Sequence, residues 1–131
     1  MKYNNYHRRD RIKNYFPLPN EIFSLGLDAG EIAVYSYLLY LENRKTYQCY
    51  PSYQTIGSAI GKSRNTVRKY VAGLEEKRLI TTEPTNIRTK GGRKQNGSLL
   101  YTIRPIQEAV DYYYRCQLAQ VEAVAAKQRA G

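Results

Sequence analysis

Apolar residues first recur at helical spacing after Asp28, where the sequence predicts the start of a helix. Asp28 is an N-cap acceptor and Glu31 follows it three residues later, which is a capping-box arrangement. The run that begins at Glu31, EIAVYSYLLYLENR, is apolar on nearly every face. Because such a helix is buried on all sides, we expect it to pack against its own core and against either the C-terminal helix or a second subunit.

Residues 51–77 predict two further helices joined by a tight turn. The first of them begins at Pro51-Ser52 and ends near Gly61, since glycine suits a helix end. Ser63 then suits the N-cap of the next helix. The buried face of this third helix consists of apolar residues at helical spacing: Val67, Tyr70, Val71 and Leu74.

The opposite face of the third helix is cationic. Two short helices with a glycine-containing turn, the second one basic on its outer face, predict a helix-turn-helix. A helix fits the major groove, where arginine and asparagine form bidentate pairs with base edges, so we expect Asn65 and Arg68 to contact bases. The other predicted DNA-binding residues of this segment are Lys62, Ser63, Arg64 and Thr66, which suit phosphates, and Lys69.

A solvated helix face is the alternative for any one of these residues. Four basic residues and no acid between positions 62 and 69 favour DNA binding. Two β-rich segments follow, at 79–82 and 98–103, and the sequence between them, PTNIRTKGGRKQNG, predicts a long cationic hairpin. Attached to a helix-turn-helix it predicts a wing, whose candidate DNA contacts are Arg88, Lys90, Arg93 and Lys94.

The sequence predicts a winged helix-turn-helix domain at residues 21–104, with an accessory element at each end of the chain. Residues 1–20 form a basic arm, which is either a solvated tail or a nucleic-acid contact, and Tyr6, Tyr15 and Phe16 could fix it to the domain. Residues 105–131 predict a long helix that starts at Pro105. Five residues on one face of this helix step 4-3-4-3 in a short heptad seam: Val110, Tyr114, Gln117, Val121 and Val124. The helix either folds back on the first helix or pairs two chains. The predicted fold class is mainly α with a small β-hairpin.

Composition narrows the function classes. The chain has 131 residues, which suits one domain, and a net charge of +10, which indicates DNA, RNA or an acidic membrane surface as partner. No apolar run approaches the ~18–20 residues of a spanning helix, and the basic N-terminus lacks the apolar run of a signal peptide. Cys49 and Cys116 have no metal-binding spacing, which favours reduced thiols in a cytoplasmic protein.

The sequence has few of the residues and motifs that enzymes use for catalysis. His7 is the one histidine, which disfavours a histidine-based metal site or a nucleophile–histidine pair. Gly91-Gly92 stands outside any glycine-rich phosphate-loop pattern. We therefore expect no catalytic residues, no metal, no cofactor and no small-molecule ligand.

A set of residues in the segment 50–80 follows a known family pattern: Pro51-Ser52, Thr55-Ile56, Gly61, Ser63-Arg64, Thr66-Val67, Leu74-Glu75-Glu76-Lys77 and Leu79-Ile80. On these residues the segment resembles winged helix-turn-helix domains of plasmid and phage replication initiators and of gluconate-repressor-type regulators. The frame 16–105 is also similar to small helix-turn-helix proteins of Gram-positive mobile elements. The resemblance implies DNA binding but does not separate transcription factors from replication proteins. No ligand-sensing domain follows the wing, which argues against a metabolite-responsive repressor.

Two residues depart from the family pattern. Arg78 stands where glycine is usual after the third helix, and a left-handed conformation there would cost ~1–2 kcal/mol. We therefore expect a rebuilt exit from that helix. Gly57 stands where alanine is usual, and we expect it to permit closer packing against the third helix.

The sequence as a whole predicts a sequence-specific protein that binds double-stranded DNA as a homodimer. It would act in transcriptional regulation, or in replication or transfer control, of a bacterial or mobile element. The alternative is a protein-interaction adaptor on the same scaffold, without specific DNA binding. Single-stranded nucleic acid is disfavoured because Tyr35, Tyr70 and Tyr113 fall on predicted core stripes instead of lining a groove.

Overall fold

Four helices and five short strands follow one another in the computed structural model, which describes residues 11, 14–88, 94–96 and 98–130. A short 3-10 helix, Asn20–Ser24, precedes them. The elements are α1 (Ala29–Leu41), β1 (Gln48–Cys49), α2 (Tyr53–Ile60), α3 (Arg64–Glu76), β2 (Ile80–Glu83), β3 (Asn86–Arg88), β4 (Lys94–Asn96), β5 (Leu100–Ile103) and α4 (Ile106–Ala130). This is a winged helix-turn-helix with an additional long C-terminal helix, as the sequence predicted.

The strands form two separate antiparallel ladders. In the first, β5 lies between β1 and β2, so that Thr102 pairs with Gln48 on one side and with Thr81 on the other. The second is the hairpin of β3 and β4, in which Arg88 is opposite Lys94. We call this hairpin the wing. Strand β1 was not predicted, because two residues are too short to show the alternation by which a strand is recognised.

The caps of the three domain helices follow the sequence prediction. Asp28 accepts a hydrogen bond from the Glu31 backbone N–H at 2.9 Å, and the Glu31 carboxylate accepts one from the Asp28 N–H at 3.0 Å, which completes a capping box. Ser52 and Ser63 cap α2 and α3 through their hydroxyls. Gly61 ends α2 in the left-handed conformation, with φ at 75°.

The core lies between the three-helix cluster and the main sheet. Helix α1 contributes Val34, Tyr35 and Leu38, and each is buried. The fully buried side chains from the other elements include Ile22, Ile56, Val67, Leu74, Leu79, Ile80 and Tyr101. The prediction that α1 is buried on all sides holds only in part, because five of its thirteen residues are buried and Tyr40 in the last turn is 60% exposed.

Helices α1 and α3 approach closely through two reciprocal glycine contacts. The Tyr70 ring of α3 lies on the backbone of α1 at Gly30, where an added Cβ would be 2.0 Å from the ring. The Glu31 carboxylate of α1 lies in the same way on α3 at Gly73, where a Cβ would be 1.9 Å from Oε2. Neither glycine can carry a side chain without movement of its neighbour. These two contacts set the distance between α1 and α3.

Glu31 also holds the ends of the two helices together. Its side chain is buried, and Oε1 accepts a 2.6 Å hydrogen bond from Nζ of Lys77, the residue that caps α3 at its C-terminus. The same carboxylate oxygen belongs to the capping box of α1. One buried acid therefore joins the beginning of α1 to the end of α3, and burial makes its loss costly because a partner would be left unpaired.

Gly57 allows the turn between α2 and α3 to be tight. A Cβ there would be 2.4 Å from the carbonyl oxygen of Lys62 and 3.6 Å from Cγ2 of Val67. The Gly57 carbonyl in turn accepts hydrogen bonds from the N–H groups of both Gly61 and Lys62, at 2.8 and 2.9 Å. The expected close approach is confirmed, and its tightest part is to the turn backbone instead of to α3 itself.

Arg78, after α3, keeps the left-handed conformation, with φ at 71°. The expectation of a rebuilt exit is therefore wrong. The reason lies in α4, because the Arg78 guanidinium is placed over the Tyr112 ring at 4.8 Å from its centroid. This cation–π contact offsets part of the backbone cost. A glycine could adopt the backbone conformation but could not make that contact.

The terminal segments contact the domain only in part. Phe16 and Leu18 pack against the core, and the Phe16 ring is 5.9 Å from that of Tyr40, so the end of the predicted arm covers α1. Tyr15 is exposed, and Tyr6 lies outside the described residues. Helix α4 begins at Ile106, one residue after the predicted Pro105. Only its first turns pack on the core, so α4 does not fold back along α1.

The Gly30 contact predicts an unusual response to alanine. Gly30→Ala should destabilise the protein by about 1–3 kcal/mol, because the new methyl group collides with the Tyr70 ring. Alanine in an unobstructed helix would instead stabilise by up to about 1 kcal/mol. Urea unfolding of Gly30→Ala in the native and Tyr70→Ala backgrounds gives the coupling. An equal cost in both backgrounds would contradict the contact.

The Arg78 backbone predicts which of two substitutions is the more stable. Arg78→Gly should be about 1 kcal/mol more stable than Arg78→Ala, because both lose the contact with Tyr112 but only glycine relieves the left-handed strain. Urea unfolding measures the difference. Tyr112→Leu is the control that removes the contact without changing the backbone. An alanine variant at least as stable as the glycine variant would show that Arg78 is unstrained.

Candidate nucleic-acid interface

The outer face of α3 is exposed along the length that the sequence assigned to DNA. Its inner face is fixed by Val67, Val71 and Leu74, which are buried against the core. At 100° per residue, this anchoring directs Asn65, Arg68 and Lys69 away from the core. The predicted residues that the structure leaves exposed on this side are Lys62, Ser63, Arg64, Asn65, Arg68 and Lys69, whereas Thr66 is half-buried.

Both helices of the turn begin with the same hydroxyl arrangement. The Ser63 hydroxyl accepts a hydrogen bond from the Thr66 N–H at 3.2 Å, and the two side-chain oxygens are 2.9 Å apart. Ser52 and Thr55 repeat this at α2, with distances of 3.0 and 2.9 Å. Each N-terminus is thus capped without a negative charge. The partial positive charge of the first turn of α3 remains available to an anion.

The two residues expected to contact bases are hydrogen-bonded to each other. Nη2 of Arg68 donates to Oδ1 of Asn65 at 3.1 Å, one helical turn earlier. The bond uses the amide oxygen of Asn65, and the other guanidinium nitrogens of Arg68 have no hydrogen-bond partner among the described residues. Such a pair presents several N–H donors side by side, which suits the acceptor atoms of a guanine edge in the major groove.

The cationic side chains of this face are not engaged in salt bridges inside the described structure. The ion pairs found there join Arg44 to Glu42, Lys77 to Glu31 and Arg104 to Glu108. None of these pairs involves a residue between positions 62 and 69. The four basic residues of that segment can therefore neutralise an external anion without first breaking an internal pair.

A cleft runs between the start of α3 and the base of the wing. It is lined on the helical side by Arg64, Asn65 and Arg68, and on the strand side by Ser98 and Leu99. The beginning of α2 closes its end with Ser52, Tyr53 and Gln54. The cleft places the outer face of α3 and the root of the wing on the same side of the molecule.

Two polar residues near this cleft were missed by the sequence reasoning. Gln54 is exposed and borders both this cleft and a second depression around Gly61 and Lys62. The sequence could have predicted its position, since the cap at Ser52 places Gln54 in the first turn of α2. Ser98 was assigned to a strand only, because its place beside α3 depends on the pairing of β5 with β2.

Tyr101 supports the cleft from below. Its side chain is 0% exposed, and its hydroxyl has no hydrogen-bond partner within the described residues. Burial, followed by the proximity of Tyr53 and Cys49, raises the pKa of Tyr101 well above its usual range. The residue is therefore a neutral part of the core, and its ring packs under the residues that line the cleft.

The wing is described in part. Arg88 and Lys94 are opposite each other at the ends of β3 and β4 nearest the hairpin turn. Lys90 and Arg93 lie outside the described residues, so the predicted contacts of these two side chains stay predictions. The hairpin follows β2 and precedes β5, as the sequence predicted for a wing.

The described part of the chain also bears on metal binding and on membrane insertion. No cluster of three or more histidine, cysteine, aspartate or glutamate side chains there could hold a metal ion. No helix among the same residues combines the length and the apolar character that crossing a bilayer requires. The two cysteines are free, with Cys49 buried and Cys116 half-buried.

Comparison with known proteins agrees with the fold. Residues 25–80 match the family described as "Helix-turn-helix domain". Among solved structures, the chain is similar to a possible transcriptional regulator from Methanosarcina mazei Go1, with 15% identity, a TM-score of 0.55 and coverage of 82% of each chain. At that identity the likeness shows the fold alone. No curated protein matches the sequence.

These findings define a helix-turn-helix domain in residues 25–80, extended by a wing and by α4. The family match covers α1, β1, α2 and α3, the elements that position the cationic face. The narrower resemblances to plasmid and phage replication initiators and to gluconate-repressor-type regulators stay predictions.

Proposed function

We propose that this protein binds double-stranded DNA sequence-specifically, with α3 in the major groove and the wing along the adjacent backbone. The observation that carries this proposal is the outer face of α3. It combines an exposed Asn65–Arg68 pair with basic side chains that form no salt bridge to any other described residue. The cleft supports it further, since it brings the root of the wing to the same side.

The proposed setting is control of transcription, or of replication or transfer, in a bacterial or mobile genetic element. A structural relative described as a possible transcriptional regulator supports the first of these. The replication and transfer settings rest on the resemblance of residues 50–80 to initiator domains. Within this proposal the protein performs no catalysis, needs no cofactor or small-molecule ligand, and acts in the cytoplasm.

We also propose that the protein acts as a homodimer. Beyond its first turns α4 carries exposed apolar residues, among them Tyr114 at 66% and Val121 at 65%. Large exposed apolar side chains on one helix mark an interaction surface. Two copies joined there would present two recognition helices, which is how dimeric helix-turn-helix proteins read inverted repeats.

A protein-interaction adaptor is the second candidate, and exposed aromatic residues outside the cationic face favour it. Phe23 is 75% exposed and Tyr50 is 73% exposed. Salt separates the two functions. Binding through 6–10 phosphates loses about 10³–10⁵ in affinity between 50 and 200 mM salt, whereas an apolar protein interface barely responds.

The experiment that tests the proposed function is selection from random DNA duplexes at near-physiological salt, followed by sequencing. We expect an enriched inverted repeat. Retention without enrichment would show a non-specific DNA binder and would remove the claim of sequence specificity. No retention at any salt concentration would leave the adaptor function and overturn the proposal.

Arg68→Ala should weaken binding to the selected site by about 1–3 kcal/mol and relax discrimination at one base pair per half-site. The reason is the loss of the donors that the Asn65–Arg68 pair presents. Arg44→Ala is the matched control, because it removes the same charge from an exposed arginine outside the cationic face. Binding titrations on the selected site and on single-base variants measure both effects. An equal loss on every sequence would instead make Arg68 a phosphate contact.

A further inference from the structure

Helix α4 extends beyond the domain after its first two turns. Ile106, Ala109 and Val110 pack on the core, but nearly every side chain from Tyr114 to Ala130 is exposed. Among these, Leu118 is 58% exposed and was not part of the seam predicted from the sequence. In proteins most helical stability comes from packing of an apolar face, and this part of α4 packs on nothing within the described residues of its own chain. The outer part of α4 is therefore a face that a partner would stabilise.

The exposed apolar residues lie on one side of α4. Tyr114, Leu118 and Val121 fall within about 60° of one another at 100° per residue, and Val124 borders them. Ala109, buried against the domain, lies on a different side by the same projection. A partner helix can therefore lie along this side without displacing the domain of its own chain.

The charge of α4 differs from that of the rest of the chain. The helix has three acidic and three basic residues, so the net charge of +10 belongs to residues 1–105. A helix that docks on a strongly acidic or basic partner would carry the opposite excess. A neutral helix is instead suited to a second copy of itself, and pairing through α4 keeps the two cationic domains apart.

The order of charges along α4 favours one direction of pairing. From the N-terminus to the C-terminus the signs are negative, negative, positive, then negative, positive, positive, at Glu108, Asp111, Arg115, Glu122, Lys127 and Arg129. Reversal about a point near Leu118 places each charge level with one of opposite sign. Parallel alignment would place each charge level with its own copy. Like charges at one level repel, so the sequence of signs disfavours the parallel arrangement.

We propose that α4 pairs with α4 of a second copy in an antiparallel arrangement, with the two-fold axis near Leu118. Arg115 of each chain then lies level with Glu122 of the other, and by helical projection both residues are on the same flank of the apolar side. This inference rests on the homodimer of the proposed function and adds its geometry. It concerns the helix alone and can be tested without DNA.

Arg115 and Glu122 are the sharpest probes of direction. Glu108 is less suited, because it already forms a 2.8 Å ion pair with Arg104 of its own chain. Arg115 is exposed, with its guanidinium 5.9 Å from the Tyr112 ring centroid, and it can turn toward a partner. Two equivalent Arg115–Glu122 pairs form across the axis, so each single charge reversal disrupts both pairs of the dimer.

The first experiment measures self-association at low salt by sedimentation equilibrium. Arg115→Glu and Glu122→Arg should each weaken the dimer about tenfold, and the double variant should return to within about threefold of the original. Lys127→Glu is the matched control, since it changes the charge as Arg115→Glu does but projects about 150° away from the centre of the apolar side, where it cannot contact the partner helix. A double variant weaker than either single one would overturn the proposal, as would a monomer at all concentrations.

The second experiment uses disulfide cross-linking in a Cys116→Ala background. In the antiparallel pair, position 124 of one chain is within one residue of the level of position 114 of the other, whereas the two copies of position 114 are about 14 Å apart along the helices. A mixture of Tyr114→Cys and Val124→Cys chains should therefore cross-link on mild oxidation, and neither variant should do so alone. Cross-linking of each variant with itself would show parallel helices. No cross-linking in any sample would overturn pairing through this face.

These outcomes are independent of the proposed function. A monomeric chain that still enriches a DNA site would remove the α4 pairing and leave DNA binding in place. An antiparallel dimer that retains no DNA would confirm the pairing and remove the DNA-binding proposal.

Discussion

The position of α3 depends on its contact with α1, and the rest of the interface follows from that contact. Gly30 and Gly73 let the two helices approach, and the ion pair between buried Glu31 and half-buried Lys77, at 2.6 Å, fixes their ends. With its inner face held in this way, α3 can only present its opposite face to solvent. The cationic side chains gain their common direction from a core contact in which none of them takes part.

The helix caps differ in charge: α1 has a negatively charged cap, whereas α2 and α3 have uncharged caps. Helix α1 begins with Asp28, whose carboxylate is the stronger partner for a helix N-terminus. Helices α2 and α3 begin with Ser52 and Ser63, which satisfy the same backbone groups without a negative charge. The acid is found at the helix remote from the cleft. The uncharged caps keep the cationic side uniformly positive, as an interface for a polyanion requires.

Local signals predicted the helices, their caps, the turn and the outer face of α3, because each of these features is determined by residues that are close together in the sequence. Several of the misses are non-local. The Glu31–Lys77 pair joins residues 46 positions apart, and no spacing rule reveals it. Arg78 keeps a left-handed backbone because of Tyr112, which lies on another helix. Leu118 was omitted from the seam because the strict 4-3-4-3 spacing passes over it, although the structure exposes it beside Tyr114.

The order of strands has a consequence for how the chain folds during its synthesis. Strand β5 is the last to be made and the central one of its sheet, so β1 and β2 have no partner until residue 103 has left the ribosome. The contacts among α1, α2 and α3 are closer in sequence and form first. When β2 and β5 pair, the segment between them becomes a closed loop. The entropic cost of closing that loop rises only slowly with its length. The wing can therefore vary in length with little effect on the folding of the domain that carries it.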